Sequence, residues 1–294
     1  MEKFKITDDG VMNVETGEVF PSSSKENSNL EKYDEWRSQI GNPSFLEKCR
    51  HKISYIVWRQ YRRLIRLTSK NSYMKLNLDS EFRKNELKIG ELSPADLNLL
   101  WECIKRSPLL PGTSHDCISG YYNDEHAGTL EKGWANHFRF FDLKKETKNI
   151  KNVLSNIAPT IRSCLGHPFR IANMNCWGMM PSSDGFGSNA WHNDGFPPGM
   201  YKLLIYLNPA ERETGTSEVR LPDGSSTIIE GPAGTWVLFN STTLLHRGLP
   251  ASSGERTIIN VTIVPAFKES VYPVIAGVSS LFPWFPWSIP NHDN

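Results

Sequence analysis

Short apolar segments separated by turn-forming residues fill the second half of the chain. The segments 169–179, 201–207, 234–240 and 257–264 each have the length and apolar spacing of a β-strand. Glycine, proline and asparagine recur between them, and Asp223-Gly224 indicates a hairpin over 218–230. Segments of this kind bury their apolar side chains by packing two antiparallel sheets together. The sequence therefore predicts a mainly β protein with flanking helices and a double-stranded β-helix core, the jelly-roll or cupin-like fold.

Composition divides the chain of 294 residues into four predicted regions. Residues 1–40 are expected to be a flexible N-terminal segment with a small hairpin, and 41–110 a helical extension. Residues 111–270 are the predicted jelly-roll core. Residues 271–294 form an aromatic, proline-rich tail that cannot continue a helix or strand. Its rings can pack on the core, at an interface such as that of a homodimer, or at a membrane interface, and we favour the first two.

A helix is predicted over 44–70, with an apolar stripe and a basic remainder. The stripe contains Ile53, Ile56, Val57, Tyr61, Leu64 and Ile65, and the basic residues are Lys52, Arg59, Arg62, Arg63 and Arg66. A basic amphipathic helix can lie on an anionic membrane surface, so peripheral membrane contact is one interpretation. We favour the other, in which the stripe packs on the core, because such stripes are common in globular proteins.

Two further helices carry recognisable ends. Ser93 as N-cap and Pro94 at the first helical position predict a helix through Arg106. A second helix is expected over 145–165 and is ended by Gly166. A strand is predicted over 137–143 between them.

Charge and cysteine content exclude several classes of partner. The formal charge of +1 provides no general attraction to nucleic acid. Five widely spaced cysteines without a Cys-x-x-Cys pair indicate neither a disulfide framework nor a zinc site, so a cytoplasmic location is expected. The first residues lack the apolar region of a signal peptide, and no stretch has the roughly 20 apolar residues of a transmembrane segment.

A histidine and a carboxylate stand two positions apart in segment 191–194. On an extended backbone such residues point to the same side, so His192 and Asp194 are predicted to bind one metal ion. His246 is the predicted third ligand, since it follows the run 234–240, which is expected to lie antiparallel beside the first segment. Two imidazoles and one carboxylate on one face of an octahedral ion leave three positions open. This arrangement suits non-haem Fe(II) with O2 and a chelating cosubstrate.

Other polar residues are candidates for holding that cosubstrate. Arg256, ten residues after His246, is predicted to bind one of its carboxylates bidentately. Asn173 and Asn175 are predicted to share one strand face with Ile171 and Trp177, because alternate residues of a strand point the same way. The amides bind either a carboxylate or substrate group, or hydrogen-bond inside the barrel for structural reasons. Lys202 is predicted to share a face of the strand 201–207 with Leu204 and Tyr206. It either assists the cosubstrate carboxylate or, as we expect because Arg256 fills that role, points to solvent or pairs with a loop.

These residues resemble the Fe(II)/2-oxoglutarate-dependent dioxygenases, most closely their phytanoyl-CoA-dioxygenase-like branch. The resemblance covers residues 168–266 and is carried by His192-x-Asp194, Gly215, the run 234–239, the segment 246–250 and Arg256. It implies that His192, Asp194 and His246 are the iron ligands and catalytic centre, and that Arg256 pairs with the distal carboxylate of 2-oxoglutarate.

The same resemblance implies a hydroxylase that consumes O2 and 2-oxoglutarate and releases succinate and carbon dioxide. Asp194 favours hydroxylation, because halogenating relatives have a small residue in its place. The long turn 208–217 departs from the family pattern. A small-molecule or carrier-bound substrate is expected, without further identification.

The sequence leaves three questions open: whether there is a second metal site, what the loop 181–189 does, and whether a competing function applies. His115, Asp116 and His126 lack the regular spacing of a metal site and are expected in a loop over 112–133 near the pocket. The loop 181–189 is either a lid over the metal or a plain surface loop. A non-catalytic jelly-roll binding module, with or without membrane contact, and a zinc or manganese enzyme are the competing functions.

Overall fold

The computed structural model describes residues 4–7, 10–13, 19–21, 56–57, 59–65, 67–68, 79–108, 138–179, 191, 194, 199–249, 251–253 and 256–273. The helices are α1 (Ser80–Asn85), α2 (Pro94–Arg106) and α3 (Thr147–Leu165), with a 3-10 turn at Lys144–Glu146. Ser93 accepts the backbone N–H of Asp96 as predicted for an N-cap. Gly166 ends α3 with a φ of 69°. The helices predicted from Ser93 to Arg106 and over 145–165 are confirmed.

Twelve strands are present in the described residues. They are β1 (Phe4–Thr7), β2 (Gly10–Asn13), β3 (Val19–Pro21), β4 (Leu87–Glu91), β5 (Phe138–Phe140), β6 (Phe169–Met179), β7 (Tyr201–Tyr206), β8 (Ser217–Arg220), β9 (Ser226–Ile228), β10 (Thr235–Phe239), β11 (His246–Gly248) and β12 (Arg256–Pro265). Strands β1 to β3 form a small antiparallel sheet in the region for which a small hairpin is predicted.

The remaining strands form two antiparallel sheets. The major sheet has six strands in the order β4-β10-β7-β12-β6-β5, and the minor sheet has three in the order β11-β8-β9. After β7 in the major sheet, the chain forms β8 and β9 of the minor sheet and then returns to the major sheet as β10. It crosses to the minor sheet again as β11 and returns to the major sheet as β12. The Tyr206 hydroxyl joins the sheets by donating to Ser217 Oγ at 2.6 Å. The predicted double-stranded β-helix is confirmed, with β4 drawn from residues before 111.

One side of the major sheet packs against α2 and α3. We call it the helix-facing side. Its strand residues include Met174, Cys176, Leu203, Ile205, Trp236, Leu238, Ile259 and Val261, and they meet apolar residues of α2 and α3 such as Leu100, Ile104, Val153, Leu154 and Ile161. Gly90 in β4 leaves room for this packing, since a Cβ there would lie 2.3 Å from Trp236 Cζ2. This side is the main hydrophobic core.

The alternate residues of the same strands form the inner face, which is turned toward the minor sheet. Strand register places these residues on it: Asn173, Asn175, Trp177, Lys202, Leu204, Tyr206, Val237, Phe239, Arg256, Ile258, Asn260 and Thr262. A bulge between Thr262 and Ile263 shifts the register of β12 against β6. Ile171 therefore joins the apolar cluster of the helix-facing side. The prediction that Ile171 shares a face with Asn173 is wrong for this reason.

Helical residues occur within 56–68, where a basic helix is predicted. Ile65 is fully buried, and the Tyr61 hydroxyl donates to the Pro265 carbonyl at 3.4 Å while its ring meets Phe267 edge-on. Ile56 and Leu64 are more than half exposed. The predicted stripe thus packs on the core in part only. No helix in the described part of the chain is long and apolar enough to cross a membrane.

Other predictions fall outside the described residues. They concern the tail beyond residue 273, the loops 112–133 and 181–189, and the candidates His115, Asp116 and His126.

Cys103, Cys164 and Cys176 are buried free thiols. Burial raises the pKa of Cys103 and of Cys164 to about 12.

Candidate metal and cosubstrate site

Asp194 precedes β7 and is held by the loop that follows β10. Its backbone N–H donates to the Ser241 carbonyl at 2.8 Å. The run 234–240 was predicted to pair with segment 191–194, and this prediction is wrong. Strand β10 has β4 on one edge and β7 on the other, so both of its hydrogen-bonding edges are occupied. Asp194 therefore meets the chain just past the end of β10.

His246 opens β11 and is buried. Its Nδ1 lies 3.1 Å from the Leu244 carbonyl, and its ring packs edge-on against Phe239 with centroids 4.9 Å apart. A carbonyl oxygen only accepts hydrogen bonds, so Nδ1 carries the proton and Nε2 keeps its lone pair. Nε2 can therefore accept a hydrogen bond or bind a metal ion. The Leu244 carbonyl fixes the orientation of the ring.

Asp194 and His246 point toward the same small space. Asp194 Oδ1 lies 3.8 Å from His246 Nε2. Lys202 Nζ stands 2.8 Å from Asp194 Oδ2 and 3.3 Å from His246 Nε2. Two of the three predicted ligands are therefore brought together. His192 lies outside the described residues, and within those residues no group of three histidine, cysteine or acidic side chains is assembled.

The pair has the chemistry of ligands to one metal ion and lies close to the required geometry. Neighbouring ligand atoms about 2.1 Å from a shared octahedral ion stand roughly 3 Å apart. The 3.8 Å between Oδ1 and Nε2 is wider, so the two side chains would move closer together on binding an ion. The Lys202 ammonium is a cation in contact with both residues, which shows that the space between them accepts positive charge. One carboxylate and one imidazole suit Fe(II), Mn(II) or Zn(II).

Lys202 lies on the inner face because it alternates with Leu204 and Tyr206 in β7, as the sequence predicts. Its side chain is only 16% exposed and is paired with Asp194. The expectation of a solvent-directed lysine is wrong, whereas pairing with a loop residue is confirmed. A buried ammonium is stable only when paired, so Asp194 stabilises Lys202 here.

Arg256 is the first residue of β12 and is buried. Its Nη1 donates to the Thr216 carbonyl at 2.9 Å, in the segment leading into β8. Burial lowers the pKa of this guanidinium, and the neighbouring Tyr206 opposes that effect. Arg256 and Thr262, the strand partner of Lys202, lie toward opposite ends of the inner face. An anion bound between them would offset the burial of the arginine charge.

A row of amides lies between these two ends. Asn175 in β6 stands directly opposite Asn260 in β12, and Asn173 stands opposite Thr262. Asn175 Oδ1 and Nδ2, Asn173 Oδ1 and Asn260 Oδ1 are buried and have no hydrogen-bond partner among the described residues. A buried polar group left in this state costs about 1–3 kcal/mol. The purely structural role considered for Asn173 and Asn175 is not realised within the described residues.

Sequence reasoning missed Asn260. The available signal was a polar residue in the middle of the apolar run 257–264, at a position that alternates with Arg256 and Ile258. A buried strand interior normally carries apolar side chains there. Asn260 thus extends the predicted amide pair into a row across two strands.

Sequence reasoning also missed the anchoring of Trp191, which precedes the predicted metal motif. The guanidinium groups of Arg220 and Arg247 lie 4.6 and 4.7 Å from the indole ring. Arg247 is in turn ion-paired with Glu218 at 2.9 Å, in the neighbouring strand of the minor sheet. Trp191 and Asp194 therefore fix both ends of the segment that contains His192.

Comparison with known proteins gives a likeness of fold. No protein-family model matches the sequence, and no curated protein sequence matches it. Among solved structures, the chain is similar to the non-haem alpha-ketoglutarate-dependent epimerase SnoN from nogalamycin biosynthesis. The identity is 13%, with 73% of this chain and 89% of that chain covered and a TM-score of 0.48.

Two other similar structures come from named organisms. HygX from Streptomyces hygroscopicus, with nickel and 2-oxoglutarate bound, is 13% identical, covers 65% of this chain and 89% of its own, and has a TM-score of 0.45. A prolyl-4-hydroxylase from Pseudomonas putida is 18% identical, covers 63% and 96%, and has a TM-score of 0.41. At these identities the likeness concerns the fold.

Proposed function

We propose that this protein is a non-haem Fe(II)/2-oxoglutarate-dependent oxygenase that hydroxylates an unactivated C–H bond of a small-molecule or carrier-bound substrate. The observation that carries the proposal is the convergence of Asp194 and His246 on a cation-accepting space, 3.8 Å apart. Arg256 and the amide row on the same inner face support it, because they supply groups that bind carboxylates. Similarity of the motifs to the phytanoyl-CoA-dioxygenase-like branch supports the narrower proposal that the protein belongs to that branch.

In this proposal His192, Asp194 and His246 hold the iron. When bound, iron, O2 and 2-oxoglutarate together supply the oxidising power for hydroxylation, with succinate and carbon dioxide as coproducts. The Leu244 carbonyl keeps the Nδ1 proton on His246 and so directs Nε2 to the metal.

The inner face orients the cosubstrate. Arg256 would bind the distal carboxylate of 2-oxoglutarate, and Asn173 and Asn175 would hydrogen-bond to its other polar atoms. Trp177, Leu204 and Ile258 surround these groups with apolar surface. Their side chains exclude water, which strengthens each charged contact with the cosubstrate.

The test is an anaerobic titration of the purified protein with Fe(II) and 2-oxoglutarate. The expected result is the weak metal-to-ligand charge-transfer band of a bidentate 2-oxoglutarate–iron complex. The band should disappear in His246→Ala and Asp194→Ala, since each removes a ligand. Lys148→Met, on the exposed surface of α3, serves as the matched control and should keep it.

Succinate formation provides the second measurement. Asp194→Ala should abolish turnover of 2-oxoglutarate, because the negative ligand of the metal is lost. Unchanged succinate release in that variant contradicts the proposed ligand set. Absence of both the band and metal binding in the wild type would leave the jelly roll as a non-catalytic binding module.

Peripheral contact with an anionic membrane is a second, compatible function. Ile56, Leu64 and Leu67 are 53–61% exposed, and Arg59 and Arg63 on the same helical segment are exposed as well. Apolar and basic residues together suit insertion at a lipid headgroup boundary. Co-sedimentation with phosphatidylserine vesicles should be lost in Arg59→Glu/Arg63→Glu and kept in Lys144→Glu/Lys148→Glu. Equal sedimentation of both double variants contradicts membrane contact through this segment.

A further inference from the structure

Lys202 occupies an unusual position for a lysine. It lies in the central strand β7, between Phe239 of β10 and Thr262 of β12, and its side chain is on the inner face. Its ammonium contacts two side chains that we assign to the metal, Asp194 at 2.8 Å and His246 at 3.3 Å. A lysine in this place is not required by the fold, since the neighbouring inner-face residues Leu204 and Tyr206 show that the strand accommodates apolar and aromatic side chains.

Lys202 contacts both of the other side chains through its charged group. The carboxylate of Asp194 balances the charge of Lys202, and His246 Nε2 accepts from the ammonium because Nδ1 donates to Leu244. At His246 Nε2 the ammonium uses the lone pair that a metal ion would use, and at Asp194 it contacts Oδ2, beside the Oδ1 that faces Nε2. It keeps two candidate ligands oriented and their charge compensated inside the barrel.

A divalent ion and the ammonium cannot share this pair. An ion bound to both Asp194 and His246 would stand within a few ångström of Lys202 Nζ in its present position. Like charges at about 4 Å repel strongly where water is excluded. Metal binding therefore requires the ammonium to leave Asp194, and the flexible four-carbon stem of lysine permits this movement.

We propose that Lys202 is a resident cation that holds Asp194 and His246 in the metal-free protein and competes with the metal for them. The inference rests on the proposed function, since it presumes a metal at this pair. Its consequence is that Lys202 weakens metal affinity relative to the bare ligands. It also stabilises the fold in the absence of a metal, because its ammonium compensates the charge of the largely buried Asp194 carboxylate.

Metal affinity of charge-removing variants tests this role directly. Lys202→Met keeps the length of the side chain and removes its charge, and Lys202→Gln is a second neutral variant in case the first does not fold. Isothermal titration with Mn(II), and anaerobically with Fe(II), should show binding at least about 10-fold tighter in either variant than in wild type. Lys202→Arg, which retains the charge, should bind no tighter than wild type, and Lys148→Met should be unchanged.

Thermal unfolding in EDTA provides a readout that needs no metal. Lys202→Met should melt below wild type, and the variant should gain more from added Mn(II) than wild type does. An unchanged melting temperature in EDTA would overturn the stabilising part of the inference. Adding Asp194→Asn to Lys202→Met should restore part of the lost stability, because the buried charge is then removed from both partners.

The outcomes separate this inference from the proposed function. Metal binding in wild type that is lost in His246→Ala but is equal or weaker in Lys202→Met overturns the competition and leaves the oxygenase proposal standing. Binding that appears only after Lys202 is neutralised supports competition. Absence of metal binding in wild type, Lys202→Met and Lys202→Gln overturns both.

Discussion

The two sides of the major sheet are built from alternate residues of the same strands, yet their chemistry differs. In β7, Leu203 and Ile205 face the helices, whereas Lys202 and Tyr206 face the minor sheet. The helix-facing side is apolar over most of its area, with Lys88 and Thr257 as polar residues of the same register. The inner face carries a lysine, an arginine and three asparagines. Arg256 and Asn175 are buried, and Lys202, Asn173 and Asn260 are half-buried.

This difference shows that one set of strands serves two separate purposes. Apolar side chains packed on α2 and α3 stabilise the fold, because their removal from water is favourable at every position. Buried polar groups on the inner face reduce stability unless a ligand or partner satisfies them. We therefore expect substitutions on the two sides to affect different properties, and the following predictions test that separation.

The largest effect is expected from Leu203→Ala on the helix-facing side. Leu203 is fully buried, so the substitution should lower the free energy of unfolding by about 2–5 kcal/mol, measured by urea denaturation. The affinity for Mn(II) and 2-oxoglutarate should be unchanged in the folded fraction. Leu204→Ala, one residue along on the inner face, should change both properties. Equal loss of 2-oxoglutarate affinity in the two variants would show that the sides are not separate.

Arg256→Ala should weaken 2-oxoglutarate binding by about 10- to 100-fold, since a charged hydrogen-bonding pair contributes about 1.5–3 kcal/mol. Arg256→Lys should recover part of the affinity, because it keeps the charge and loses the two-pronged geometry. Titration calorimetry with Mn(II)-loaded protein measures both. Arg162→Ala, which breaks an ion pair with Glu269 near the end of α3, is the matched control. A similar loss in Arg162→Ala would indicate a general effect of destabilisation.

Asn175→Leu should lower the affinity for 2-oxoglutarate without lowering stability, the reverse of what is expected for Leu203→Ala. The substitution removes two buried polar atoms that have no partner in the described residues, so unfolding free energy should stay equal or rise. Affinity for 2-oxoglutarate should fall by about 10-fold, as expected for one lost hydrogen-bonding side chain. Thr235→Val is the control, because Thr235 Oγ1 already donates to Pro232, and its loss should lower stability by about 1 kcal/mol. A clear drop in stability for Asn175→Leu would contradict a ligand-binding amide.

The smallest effect concerns a charge away from the inner face. Arg106 hydrogen-bonds to Glu146 and lowers its pKa from 4.5 to about 2. The stabilisation is therefore complete above the ordinary pKa and is lost as pH falls toward the folded value. The difference in unfolding free energy between wild type and Glu146→Gln should shrink as the pH falls from about 5 to about 2. The change should be small, because Arg106 is half exposed and solvent screens the ion pair. A difference independent of pH would show that the ion pair is not its source.

Much of the fold could be predicted because its signals are local. Alternation in 201–207 predicted that Lys202, Leu204 and Tyr206 share a side, and the caps at Ser93 and Gly166 predicted helix ends. Asp223-Gly224 predicted the β8–β9 hairpin, where Gly224 has a φ of 88°. Each of these depends on backbone geometry over a few residues.

The site was predictable as a set of residue types, but its contacts were not. Sequence spacing selected Asp194 and His246, whereas only the structure shows that Lys202 stands between them. The same holds for Asn260 opposite Asn175, and for Trp191 between two arginines of the minor sheet.

The sequence by itself determined which residues alternate, where helices begin and end, and which side chains can bind a metal ion or a carboxylate. The tertiary structure alone decided which strands are neighbours. It placed β10 between β4 and β7 and shifted Ile171 to the helix-facing side through a bulge. The physical reason is that strand pairing joins residues far apart in sequence. The choice among neighbours depends on which arrangement buries the apolar side of every strand at once.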